Sequence, residues 1–170
     1  MMRTEINLLL TALYSGKISK ELFLREYFKD IHKSDEYVLN LIQKGIENKS
    51  DSEIEEAIVL ICTGSFSKPY FVVQLCELLQ LPWHFKHEDI AMLLKDIADP
   101  STVDCLYKAS ELKFDYLNYD DSYQFARKCI KALSAISDES SIEKLKLLAI
   151  SKTKRIREYA KKELQYKGLI

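Results

Sequence analysis

Leu94, Ile97, Asp99, Ser101, Val103 and Leu106 are echoed 39 positions later by Leu133, Ile136, Asp138, Ser140, Ile142 and Leu145. Each copy reads as a helix that ends, a short polar turn, and a second helix that starts on a serine. Two helices per unit at a period near 40 is the pattern of an α-solenoid, whose units bury their apolar faces only by stacking on one another. Such a chain presents long surfaces and seldom encloses a catalytic pocket. The echo therefore constrains the fold far more than the activity.

The rest of the chain is punctuated as helices. With only 4 Gly and 3 Pro in 170 residues it lacks the turns that a many-stranded β fold needs about every 8–12 residues. A first helix spans about Thr4 to Tyr14 and stops at Gly16, a residue type suited to a left-handed C-terminal cap. Ser19 and Ser34 read as N-caps, Ser52 with Glu55 has capping-box spacing, and Pro69 fits the first position of a helix. Further helices are predicted at about 87–98, 101–112, 121–136, 140–150 and 153–166, with a longer connection over 113–120. A weaker echo at 31 positions relates Phe125, Cys129 and Leu133 to Ile156, Ala160 and Leu164, whereas the first 80 residues do not align at 39. The expectation is an all-α chain, a HEAT-like α-solenoid of about ten helices in antiparallel pairs. It reads as a single domain over 1–170, with 1–80 a helical cap or degenerate repeats and 81–170 the clearer repeats.

Charge is unevenly spread. Residues 1–82 carry a net −3, 83–125 a net −5 and 126–170 a net +7. No window approaches the ~18 uncharged apolar residues of a membrane span, and no signal peptide is read at the N-terminus. Cys62, Cys76, Cys105 and Cys129 have no zinc-knuckle spacing and lie in apolar helical contexts, so buried free thiols in a reducing cytoplasm are expected.

Two clusters carry candidate chemistry. In the first, His84 and His87 stand i, i+3 beside Glu88 and Asp89. They lack the His-Glu-x-x-His order of a zinc protease, and an ordinary helix start with acids in its first turn accounts for them better than a metal site. The second runs from Phe114 to Tyr123 and packs three tyrosines and three aspartates into ten residues. No nucleophile, histidine or glycine-rich cradle accompanies those aspartates, and a calcium loop would need a central Gly. No catalytic residue, metal or cofactor is therefore assigned. Exposed tyrosines beside carboxylates are what protein-binding surfaces use, and a capping loop is an equal reading. Trp83 and Phe85 are read as wedges between repeats. The basic C-terminus, with Lys144, Lys152, Arg155, Lys161 and Lys162, is read as a solvated terminal face ahead of a nucleic-acid surface.

The runs Trp83–Ile90, Asp99–Asp104, Phe114–Tyr119 and Ala126–Leu133, with Tyr14–Glu21 near the start, resemble bacterial HEAT-repeat proteins. Members of that group serve as immunity proteins in polymorphic-toxin and contact-dependent growth inhibition systems. Ser137-Asp138-Glu139 departs from their more usual Gly-Asp-Pro-like turn. The resemblance implies a cytoplasmic, non-enzymatic protein, with a monomer favoured, that neutralises a cognate toxin domain by stoichiometric binding. The toxin would often be a nuclease with a basic cleft. The surface expected to meet it comprises His84, His87, Asp115, Tyr116, Tyr119, Asp120, Asp121 and Tyr123. The alternative is a nucleic-acid-binding protein using the basic C-terminal helices.

Overall fold

The computed structural model describes residues 3–117 and 122–170. These hold ten α-helices and no strand: α1 (Arg3–Tyr14), α2 (Lys20–Tyr27), α3 (Asp35–Asn48), α4 (Asp51–Thr63), α5 (Val72–Leu78), α6 (His87–Ile97), α7 (Val103–Ala109), α8 (Gln124–Ile136), α9 (Glu139–Leu148) and α10 (Lys154–Tyr166). Among them no helix is long and apolar enough to cross a membrane. The chain divides into two compact units between Ser67 and Lys68. That boundary lies upstream of the one read near residue 80, because α5 packs on α6 and α7.

In the first unit serines start three helices, two of them at the residues the sequence marks. Ser19 accepts from the Leu22 N–H, Ser34 from the Tyr37 N–H and Ser50 from the Glu53 N–H. The third cap is Ser50, not Ser52. Gly16 takes φ +68, the left-handed conformation that ends α1. Phe23, Tyr27, Val38, Ile42, Ile54 and Ile58 form the core, and α3 approaches α4 closely at Gly45. A Cβ there would come within 2.7 Å of the Ile54 side chain. Glu56 is buried in this core, where Arg3 and the Tyr27 hydroxyl both engage its carboxylate. A buried charge needs such partners, and the arrangement, with burial, pushes the Tyr27 phenol strongly upward.

The second unit repeats itself in backbone detail. α6 ends on Ala98 and α8 on Ser137, both left-handed, at φ 53 and φ 59. Asp99 then accepts from the Ser101 N–H at 2.8 Å, and Asp138 from the Ser141 N–H at 2.7 Å. Thr102 and Ser141, 39 apart, each return a hydroxyl hydrogen bond to the aspartate carbonyl, at 2.7 and 2.9 Å. The helix-starting residues are thus the aspartates, and the serines stand inside the first turn. Aspartate serves here because its carboxylate takes an orphan N–H at the positive end of the helix.

A third copy lies upstream. Pro69 and Pro100 both sit in 3-10 turns that lead into a helix, and Val72, Leu75 and Leu78 match the buried Val103, Leu106 and Ala109. It is displaced by 31 because the link to α6 (79–86) is shorter than the link to α8 (110–123), and α6 has 11 residues where α8 has 13. Helices of one kind line up: α6 on α8 on α10, and α5 on α7 on α9. Sequential neighbours α7–α8, α8–α9 and α9–α10 pack as well.

Packing of α5 on α7 brings Cys76 and Cys105 together, with Cα atoms 5.6 Å apart and their sulfurs bonded. This corrects the expectation of four free thiols, since spacing along the chain carries no sign that equivalent helices lie side by side. Cys62 and Cys129 stand outside the disulfide, the first exposed and the second buried, where burial pushes its thiol upward and away from reactivity. Denatured, unreduced protein should titrate as two thiols, and as four after reduction. Reduction should cost the second unit about 3–4 kcal/mol for a loop closed over 29 residues, read by urea unfolding from the fluorescence of Trp83. Four thiols before reduction would contradict this.

Candidate functional site

Turn 79–86 leaves α5 with the Leu78 carbonyl at the helix end, which takes the Leu81 N–H at 3.1 Å, and the Leu81 carbonyl within the turn. Two imidazoles donate to them. His84 Nε2–H donates to the Leu78 carbonyl at 2.8 Å, while its Nδ1 accepts from the Lys86 N–H at 3.1 Å. His87 Nε2–H donates to the Leu81 carbonyl at 2.9 Å, and its Nδ1 accepts from the Tyr116 hydroxyl at 2.7 Å. The carbonyls fix Nε2–H on both rings; the Lys86 N–H leaves His84 Nδ1 bare, and burial, which disfavours the charged ring, does so for His87. The rings stack on one another at 4.0 Å, and His87 stacks on Phe114 at 3.8 Å. Phe125 of α8 meets the edge of the cluster at 5.6 Å.

Both histidines are completely buried. They were assigned to a partner-contact surface as exposed residues; the structure places both rings beneath the surface. Their four ring nitrogens are all engaged, so either ring would have to surrender a hydrogen bond before it could ligate a metal. Groups of three or more His, Cys, Asp or Glu able to hold a metal are absent among the described residues. Burial, and then the neighbouring His84, pushes His87 down from 6.5 to about 3. Burial also pushes Tyr116 up to about 12, so it is a protonated donor to His87 at neutral pH.

The surface above this support is aromatic and acidic. Phe85 is 60% exposed and stands edge-on to the half-buried Tyr116 at 5.0 Å. Asp115 and Asp89 are exposed beside them in sequence, the latter paired with Lys86 at 3.8 Å. Glu88 is bound by Lys128 at 2.9 Å, which ties α6 to α8. The two segments singled out from the sequence, around 84–89 and 113–117, are therefore in contact. Tyr123 is half-buried at the start of α8 with φ 52, and Lys113 lies over its ring at 5.2 Å. Tyr119, Asp120 and Asp121 lie outside the described residues.

Phe85 was read as a wedge between repeats and is exposed instead. The buried positions are held by side chains that donate to the Leu78 and Leu81 carbonyls, which an imidazole can do and a phenyl cannot. An aromatic flanked by histidines in a turn of this kind was the available signal.

Compared with protein-family models, curated proteins and solved structures, the chain matches none.

The neutral His87 makes the second unit acid-sensitive. Below 6.5 the unfolded chain takes up a proton that the folded site refuses until about 3, so stability falls as pH falls through that window. Wild type should lose about 1.4 kcal/mol more per pH unit than His87→Gln between these limits, measured by urea unfolding. Parallel losses in the two proteins would refute the assignment.

Proposed function

We propose that this chain is a non-catalytic protein-binding module, an immunity protein that blocks the active site of a cognate toxin domain, and that its second unit is a HEAT-like α-solenoid. The alignment of α6, α8, α10 and of α5, α7, α9 supports the solenoid, since stacked helix pairs contact their next-nearest neighbours in this way. The observation that carries the binding role is Phe85, exposed and mounted with Tyr116 on a fully buried histidine support.

An exposed aromatic with a fixed backbone loses little freedom on binding, and large rings centred in an interface contribute most of its energy. Asp89 and Asp115 add negative charge at the rim, within a segment of net −5. That charge speeds encounter with a basic cleft such as a nuclease uses for its substrate. In this reading the protein works in the cytoplasm, where thiols are kept reduced, so the second unit must keep its fold with Cys76 and Cys105 unlinked.

The test is binding to the C-terminal domain of a large secreted protein encoded beside this gene. Phe85→Ala and Asp115→Lys should each weaken the complex at least ~10-fold, about 1.4 kcal/mol or more, while the thermal transition of the free protein stays in place. Absence of a complex, or unchanged affinity in both variants, would sink the reading.

A further inference from the structure

The second unit also holds a cleft that the protein-binding reading does not use. A cavity of about 130 Å³ opens between α8 and α10, lined by Arg127, Ile130 and Lys131 on one helix and Tyr159, Lys162 and Glu163 on the other. We infer that this cleft binds a phosphate group.

Six cations elsewhere in the unit are paired with carboxylates. Lys68 meets Asp96, Lys86 meets Asp89, Lys128 meets Glu88, Lys144 meets Asp104, and Lys154 and Arg155 share Glu158. The three around the cavity share one space without such a pair among the described residues. Among the described residues Arg127 has uncharged partners, the Gln124 side-chain oxygen at 3.4 Å and the Tyr159 ring at 5.7 Å. Lys131 and Lys162 have no carboxylate partner among the described residues. Glu163 is the one acid in the lining, which leaves it a net charge of +2.

This arrangement costs stability in the empty protein. Arg127 and Lys131 are i, i+4 on α8, where like charges repel, and Lys162 faces the same space from α10. A dianion removes that repulsion. The Arg fork matches a tetrahedral oxyanion through two parallel N–H donors, and the two ammonium groups add point charge. The walls are fixed: Ile130 is completely buried, and the Tyr159 hydroxyl donates to the Ser122 carbonyl at 2.6 Å. Drug-sized ligands need about 300 Å³ or more, so the cleft takes one phosphate group and leaves the rest of its carrier outside. Free phosphate, a small phosphate ester and a nucleic-acid strand share this chemistry.

The test is a titration of the whole chain with inorganic phosphate at constant ionic strength, followed by NMR of the Arg127 side-chain N–H. Saturable shifts with Kd of about 1 mM are expected, and at least 10-fold weaker binding in the Lys131→Gln/Lys162→Gln double variant with an unchanged thermal transition. A second arm uses a short single-stranded oligonucleotide. Tighter binding than phosphate, lost in the same variant, identifies the carrier as nucleic acid; binding no tighter identifies a small phosphate. Should the double variant unfold, Lys162→Glu alone, at an exposed position, must abolish the response. Shifts that do not saturate, that chloride reproduces, or that survive the variants overturn the site.

Discussion

Two neutral imidazoles hold the second unit's surface in place. The Leu78 carbonyl, which also takes the Leu81 N–H, ends α5, and the Leu81 carbonyl lies in the turn beyond it. His84 and His87 donate to them from six residues further along, each bond worth about 1 kcal/mol. This bends the chain so that Phe85 is forced outward and α6 begins directly after. The acceptor nitrogen of His87 then fixes Tyr116, and with it the 114–117 segment. One chain of hydrogen bonds thus sets two connections that are distant in sequence. It works best while His87 is uncharged, because a proton on Nδ1 would reverse the bond to Tyr116 and bury a charge.

Much of the helical layout was legible because capping chemistry is local. Ser19, Ser34 and Gly16 act as their neighbours in sequence imply, and the 39-residue echo exists because Asp99 and Asp138 perform the same capping at equivalent turns. The third copy was hidden by connection length and by Lys68 standing where an aspartate would have marked the turn. At the site, sequence brought the right two segments together but inverted their roles, burying Phe85 and exposing the histidines. Periodicity reports which positions face inward in a helix. In a turn it says nothing of which side chain must answer a buried carbonyl. For the same reason Glu56 and the Cys76–Cys105 bond gave no warning, since both depend on packing between helices.

α8 joins the two proposed surfaces. Phe125 at its start enters the aromatic cluster beneath Phe85 and Tyr116, while Arg127 and Lys131 line the cleft against α10. Lys128, between them in sequence, reaches back to Glu88 on α6. The segregation of charge along the chain therefore becomes a segregation in space, with acids around the exposed aromatic and unpaired cations at the following helix pair. A repeated fold with unrepeated connections allows this: the cores of the copies agree, and the surfaces are free to differ.

The histidine support is the point at which the account is most directly exposed to test. Long-range ¹H–¹⁵N NMR correlations resolve the two nitrogens of each imidazole and follow them with pH. Both His84 and His87 should show a protonated Nε2 and a bare Nδ1 at neutral pH, and His87 should keep that pattern down to about pH 4. Averaged tautomers, or titration of His87 near its ordinary 6.5, would contradict it and leave Phe85 without its foundation.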